Sequence, residues 1–229
     1  MLFDPNVILG NLDYLLWGRM AQGEPGGLLL TLLLSLSAGI ASLGLGIPMG
    51  LLAWSRPGPI RQTLFWWADL IRGIPLIFVI FWVYFLVPAL LGRDVPGSLS
   101  VILALAWFTS AAVMYSTVAG LDALPKGQWE AAQASGMSRL QALRWVLLPQ
   151  ALRNLRPSFV GLFISLIKDT SLAYIVGVNE LSFVASQVNS RVMVHPAEIF
   201  LFVAGIYFLI CGGLDLLVSL FKLQPQTGR

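Results

Sequence analysis

PGGLLLTLLLSLSAGIASLGLGIPMGLLAWS, residues 25–55, is a stretch without a single charged side chain. A helix rises about 1.5 Å per residue, so roughly 20 residues cross the ~30 Å hydrocarbon layer of a bilayer. In lipid, a helix satisfies its own backbone hydrogen-bonding groups. We therefore expect this stretch to form a membrane-spanning helix over about 28–54.

Other parts of the chain are equally apolar, because residues 73–92, 95–121 and 199–214 also lack charges. Hydrophobic residues make up 57% of the chain and charged residues 11%, against roughly 45–50% and about 25% in soluble domains. The apolar runs are continuous rather than alternating, which disfavours a β-barrel. We predict an all-α integral membrane protein, a single transmembrane domain over 1–229 with about five helices at 28–54, 73–91, 97–121, 158–178 and 198–221.

Positive side chains are unevenly divided between the two sides of the membrane that these helices are expected to cross. Of the 14 Lys and Arg residues, ten follow the first and third spans or lie in the C-terminal tail, three lie on the other side, and Lys168 lies within a span. Loops rich in Lys and Arg stay in the cytoplasm. We therefore expect the N-terminus outside and the C-terminus inside. The net charge of +3 then reflects topology, and nucleic acid is not an expected partner.

The one long loop, 122–156, begins with the pattern of a short helix. Pro125 and Gly127 interrupt the chain, and QWEAAQAS, residues 128–135, is an alanine-rich helical pattern ended by Gly136. Its small residues allow another protein to approach closely. A solvated connecting loop is the alternative interpretation.

A second helix is predicted directly afterwards. Ser138 and Gln141 have the spacing of a capping box, which marks a helix start. Pro149 is expected to end this helix. The residues expected to share its apolar face are Leu140, Leu143, Val146 and Leu147.

The same loop resembles the EAA signature of ABC importer permeases, with valine where isoleucine is usual. The matching positions are Glu130, Ala131, Ala132, Gly136, Val146, Leu148 and Pro149. The resemblance implies the type I importer permease fold, in which this loop is a coupling helix that docks in a groove of the ATPase subunit. It assigns the ATPase contact to Glu130, Ala131, Ala132, Gly136, Leu148 and Pro149.

Further segments are similar to permeases of the polar-amino-acid family, which includes histidine, glutamine and glutamate–aspartate types. They are residues 27–50, RGIPL at 72–76 and LIKDTSL at 166–172. The resemblance implies half of a translocation pathway in a bacterial inner membrane, for glutamate or aspartate first, with glutamine, asparagine or another polar amino acid open. Span three departs from the family pattern, because Tyr115 and Val118 replace its usual Glu and Arg.

The resemblance also implies partners. These are an ABC ATPase dimer, a second permease subunit, the same or different, an extracytoplasmic substrate-binding protein and membrane lipid. The chain lacks a Gly-x-x-x-x-Gly-Lys-Ser/Thr phosphate loop, so ATP and Mg are expected on the partner ATPase and no enzyme activity on this chain. No cofactor or metal is expected here, since His195 has no second ligand at metal spacing.

Polar groups inside the spans are the candidates for a substrate pathway. An ionisable side chain there costs several kcal/mol unless it is paired or hydrated. Lys168 and Asp169 are adjacent, so on a helix they point about 100° apart and cannot pair with each other. A structural or gating ion pair is the alternative to substrate contact. The candidates are Lys168, Asp169, Thr170 and Ser171 in span four and Thr109, Ser110 and Tyr115 in span three.

Two other classes of protein stay open from the residues alone. A secondary transporter or channel would need no ATPase, but five spans without an inverted repeat disfavour the transporter. An integral membrane enzyme is disfavoured because no His, Asp or Cys cluster faces one side. Co-purification of an ATPase would separate these classes.

Overall fold

The computed structural model describes residues 5–193 and 196–222, and most of them are helical. Two very short strands, β1 (Gly18–Arg19) and β2 (Glu24–Pro25), pair antiparallel near the N-terminus. The helices in chain order are α1 (Pro5–Leu9), α2 (Leu12–Trp17), α3 (Gly27–Ser55), α4 (Pro59–Gly73), α5 (Leu76–Leu91), α6 (Gly97–Asp122), α7 (Lys126–Ala134), α8 (Arg139–Ala142), α9 (Leu148–Asp169), α10 (Leu181–Val192) and α11 (Pro196–Lys222).

Four helical segments of the described chain are long and apolar enough to cross a membrane: Gly27–Ser55, Gly97–Asp122, Arg139–Val176 and Pro196–Leu220. The pair α4 and α5 makes a fifth if it is counted as one broken span. The all-α membrane fold is thereby confirmed. The first, third and fifth spans begin and end within about two residues of the predicted bounds.

The predicted bounds of span two are wrong. The helix does not start at 73, because the chain breaks at Ile74 and α5 begins at Leu76. Ile74 is extended (φ −98°, ψ 134°), the conformation favoured before a proline, here Pro75.

The fifteen residues of α4 were not predicted as a helix. Pro59 occupies its first turn, where the missing N–H costs nothing. The side chains that pack against α6 recur at helical spacing, which is the signal that marks this helix in the sequence: Leu64, Trp67, Ala68 and Ile71.

The predicted start of span four at 158 is also wrong, because Pro149 does not end a helix. Helical structure runs from Arg139 to Val176, through a π-helical turn at Leu143–Leu147 and a closing 3-10 segment at Thr170–Val176. A proline clashes with the carbonyl four residues earlier, and a wider turn before Pro149 relieves that clash. The expected apolar face holds only in part, since Leu143 and Leu147 are buried but Leu140, which precedes the wider turn, is 72% exposed.

The described chain forms two compact units. The terminal unit comprises the described parts of Met1–Gly39, Leu76–Leu105 and Phe163–Arg229. The central unit comprises Ile40–Pro75 and Ala106–Leu162. An apolar cluster of the terminal unit joins α2, α10 and α11 through Leu15, Leu181, Val184, Ala185, Val188, Ile199 and Val203.

A buried carboxylate organises the start of α10 in the terminal unit. Glu180 is fully buried, and its carboxylate accepts hydrogen bonds from the backbone N–H of Ser182 (2.9 Å) and Phe183 (2.8 Å). The Tyr207 hydroxyl donates to the same carboxylate at 3.3 Å. Burial raises the pKa of Glu180 to about 7, against the opposing effect of these donors. The N-cap therefore changes charge near neutral pH.

The central unit depends on close approach of α3 to α6. A Cβ atom on Gly46 would lie 2.5 Å from Val113 Cβ and 2.6 Å from the Ser110 carbonyl oxygen. Gly120 is similarly crowded, but there the nearest atoms all belong to the Leu155 side chain, from 2.5 Å. Small residues of this kind let membrane helices pack closely.

This packing gives a matched test within one helix. Gly46→Ala should lower the free energy of unfolding by about 1–3 kcal/mol, because the new methyl group has no room. Gly44→Ala should have no destabilising effect, because nothing lies within 4 Å of a Cβ there and alanine favours helix. Thermal unfolding in detergent, followed by size-exclusion chromatography, measures both. Equal melting temperatures for the two variants would contradict the close packing.

Candidate functional site

The predicted first helix of the long loop is α7. It begins at Lys126 rather than at Gln128 and includes Gly127, but it ends as expected. Residue Ser135 follows α7, and Gly136 adopts the left-handed conformation (φ 77°) that glycine accepts without strain. Glu130, Ala131 and Gly136 are exposed. Ala132 is only 4% exposed and packs inside the chain. The surface that a partner can reach on α7 therefore excludes Ala132.

Aromatic packing holds α7 against the end of α3. The rings of Trp129 and Trp54 meet edge to face, with centroids 6.0 Å apart. The indole N–H of Trp54 donates to Asp122 at 2.9 Å, and Asp122 lies 4.0 Å from Arg61. These contacts fix the position of α7, and with it the position of its exposed residues, within the central unit.

The second helix of the loop starts with the predicted capping box. The Ser138 hydroxyl accepts from the Gln141 N–H, and the Gln141 side chain accepts from the Ser138 N–H at 2.8 Å. Leu148 is half-buried and Pro149 exposed, at the first turn of α9. Leu143, Leu147 and Ala151 of the same segment form a buried apolar cluster with Leu121.

The span-four candidates lie in the terminal unit, where α9 tightens into its 3-10 segment. Lys168 is exposed and Asp169 half-buried. Neither has an ion-pair partner within 4.0 Å among the residues that the structure describes. Thr170 and Ser171 each donate to a carbonyl three residues earlier at 2.7 Å. The charges of Lys168 and Asp169 act on each other only at longer range, whereas the hydroxyl protons of Thr170 and Ser171 are donated within the helix.

The span-three candidates lie in the central unit. Thr109 and Ser110 are buried, and the Ser110 hydroxyl donates to the Trp107 carbonyl at 2.7 Å. Tyr115 donates to the carboxylate of Asp69, and the Arg72 guanidinium lies 4.9 Å from the centre of its ring. At the place of the missing family Glu, α4 thus supplies a carboxylate and a cation.

Asp69 and Arg72 were missed as candidates by the sequence reasoning. Both are exposed on α4, at i and i+3, and so share one helix face. That spacing, beside the RGIPL segment, is the signal that marks them once residues 59–73 are recognised as a helix.

Metal binding has no candidate in the structure. Among residues 5–193 and 196–222, no three His, Cys, Asp or Glu side chains are placed to hold an ion. His195 lies outside the described residues, as do Arg229 and the side chain of Lys222.

The family model for the inner membrane component of binding-protein-dependent transport systems matches residues 43–222. The chain belongs to this family. The permease is 35% identical over 192 residues to the probable glutamine ABC transporter permease protein GlnP of Bacillus subtilis, covering 83% of this chain and 88% of that one. It is 30% identical over 227 residues to the glutamate/aspartate import permease protein GltK of Escherichia coli O6:H1, covering 96% and 97%.

A solved structure agrees with these relatives. The crystal structure of an amino acid ABC transporter with histidines contains a chain that superposes on the permease with a TM-score of 0.83. The two chains are 28% identical, and the match covers 98% of the permease and 100% of that chain. The permease is therefore a multi-pass inner-membrane subunit of a polar-amino-acid ABC importer.

Proposed function

We propose that the permease couples ATP hydrolysis on a separate ATPase to amino-acid import through the exposed end of α7. The observation that carries this proposal is the position of Glu130, Ala131 and Gly136. They match the family signature and are exposed, Glu130 and Ala131 on α7 and Gly136 just after it. Packing of Trp129 on Trp54 holds α7 in place. A helix that is packed firmly against the rest of the permease transmits a conformational change of the ATPase better than a flexible loop does.

The proposal includes three protein partners. The ATPase dimer binds ATP and Mg and contacts α7. A second permease subunit, identical or related, completes the pathway, and an extracytoplasmic binding protein delivers the substrate. The family description supports the binding protein, and the relative named as an ABC transporter permease supports the ATPase.

The proposal also includes an orientation. The Lys and Arg residues around α7 favour a cytoplasmic position for this helix, and a cytoplasmic α7 puts the chain around α10 outside. Five membrane crossings, with α4 and α5 as one broken span, put the two termini on opposite sides.

Glutamate or aspartate is the substrate we favour. Lys168 has no carboxylate within 4.0 Å in the described chain, and its exposed ammonium group can bind a substrate carboxylate. Asp169 can bind the substrate ammonium group. The relative that spans almost the whole chain is named for glutamate and aspartate import.

Glutamine or asparagine is the second candidate. Asp69 keeps a carboxylate beside Tyr115, where the family pattern has a Glu, and an uncharged amide substrate tolerates that charge better than an anionic one. The relative with 35% identity is named for glutamine.

Charge reversal at α7 tests the coupling proposal. Glu130→Lys should leave the permease in the membrane but lower ATPase retention and transport about tenfold or more, because a wrong, unpaired charge at an interface costs several kcal/mol. Asn154→Lys, exposed on α9, is the control and should retain both activities. Membrane fractions are assayed for the ATPase subunit and for uptake. Normal uptake by Glu130→Lys would sink the assignment.

Single cysteines test the orientation. In a Cys211→Ser background, Ser190→Cys on α10 should react with an impermeant thiol reagent in intact cells, because this position is exposed. Gln133→Cys on α7, equally exposed, should react only after lysis. The opposite labelling pattern would overturn the topology.

Uptake by span-four variants tests the substrate site. Lys168→Met and Asp169→Asn should each lower uptake about ten- to a hundredfold, since a hydrogen bond to a charged group contributes roughly 1.5–3 kcal/mol. Lys168→Arg keeps the charge and serves as the control. Complex assembly and ATP hydrolysis should stay intact. If both variants import with unchanged affinity and rate, these residues are structural.

The same uptake assay separates the two candidate substrates. Excess unlabelled glutamate or aspartate should compete with labelled substrate, and glutamine should not. Competition by glutamine alone would favour the second candidate.

A further inference from the structure

A groove of about 810 Å³ opens on the central unit beside the last turn of α3. Its size falls within the roughly 300–1,000 Å³ of ligand-binding clefts. The residues that give it its chemistry come from α3, the segment after it, α7 and α8, and they are Leu52, Trp54, Arg56, Trp129, Arg139 and Leu140.

The charge of the groove suits an anion. Two of its lining residues, Arg56 and Arg139, are cationic and none is acidic. Neither arginine has a carboxylate within 4.0 Å in the part of the chain that the structure describes. The neighbouring carboxylate of Asp122 is already engaged by the Trp54 indole and by Arg61. The positive charge of the groove is therefore not neutralised from within the unit.

Apart from Ser55, the other residues of the groove wall are apolar. Leu140 is 72% exposed and Leu52 44% exposed, and Trp54 and Trp129 line the same groove. An inorganic ion would leave this surface uncovered. The groove thus fits a molecule that joins an anionic group to a hydrocarbon chain.

The position of the groove fits a lipid as well. The membrane-spanning helix α3 ends at Ser55, so Arg56 lies where hydrocarbon gives way to headgroups. Tryptophan is enriched at that depth, and basic pockets between membrane helices bind anionic headgroups.

We propose that this groove binds an anionic phospholipid of the cytoplasmic leaflet. Arg56 and Arg139 hold the phosphate, and Leu52 and Leu140 contact the upper part of an acyl chain. The lipid fills the space between the end of α3 and α8, next to the Trp54–Trp129 contact on which α7 rests. The choice of leaflet rests on the proposed orientation, whereas the lipid chemistry does not.

Lipid retention tests this proposal. The full chain is placed in bilayers of equal parts phosphatidylglycerol and phosphatidylcholine with identical acyl chains, then released for native mass spectrometry. The wild type should retain phosphatidylglycerol preferentially. Arg56→Gln with Arg139→Gln should lower that retention about tenfold or more, and so should Leu140→Glu, which places a negative charge in the groove.

The control pair removes the same charge elsewhere. Arg153→Gln with Arg156→Gln, both exposed on α9 and outside the groove, should retain the lipid. Glu130→Lys should also retain it, so a failed coupling proposal is distinguishable from a failed lipid proposal. Equal retention in wild type and groove variants, or equal loss in the control pair, would overturn the site. Release of the lipid when the ATPase binds would assign the groove to that protein instead.

Discussion

A backbone N–H or C=O group left without a hydrogen bond in hydrocarbon costs several kcal/mol, and the rest of this structure depends on that constraint. It forces the apolar runs into helices. It also governs the polar side chains within them, because Ser110 and Thr170 donate to carbonyls of their own helices. Lys168 and Asp169 cannot be satisfied in that way. Their charges, unlike the hydroxyls beside them, have no hydrogen-bonded or ion-paired partner within 4.0 Å in the described chain.

The bounds of a span could be predicted from the sequence when no proline near its ends decided where the helix begins. Spans one, three and five lie between charged or polar segments, and their bounds follow from hydropathy. Spans two and four were misplaced because proline acts differently in each. Pro75 follows an extended residue and breaks the chain, whereas Pro149 sits inside continuous helical structure behind a widened turn. The sequence around a proline does not reveal which outcome tertiary packing selects.

The candidate sites divide along a similar line. The turns of the long loop were predictable because Gly136 and the Ser138–Gln141 box act through neighbouring residues. The cluster of Tyr115 with Asp69 was not predictable, because the two residues are 46 positions apart and meet only when α4 packs on α6. Local chemistry can be inferred from spacing, whereas pairing between helices requires the fold.

The two crowded glycines, Gly46 and Gly120, restrict the substitutions that this sequence can accept during evolution in different ways. Any replacement of glycine adds atoms. At Gly120 the obstructing atoms belong to the side chain of Leu155, so a larger residue there becomes acceptable if position 155 shrinks at the same time. At Gly46 one obstructing atom is a backbone oxygen, which no substitution removes. Position 120 can therefore covary with position 155 during evolution. Position 46 has no neighbouring side chain whose substitution would make room for a larger residue.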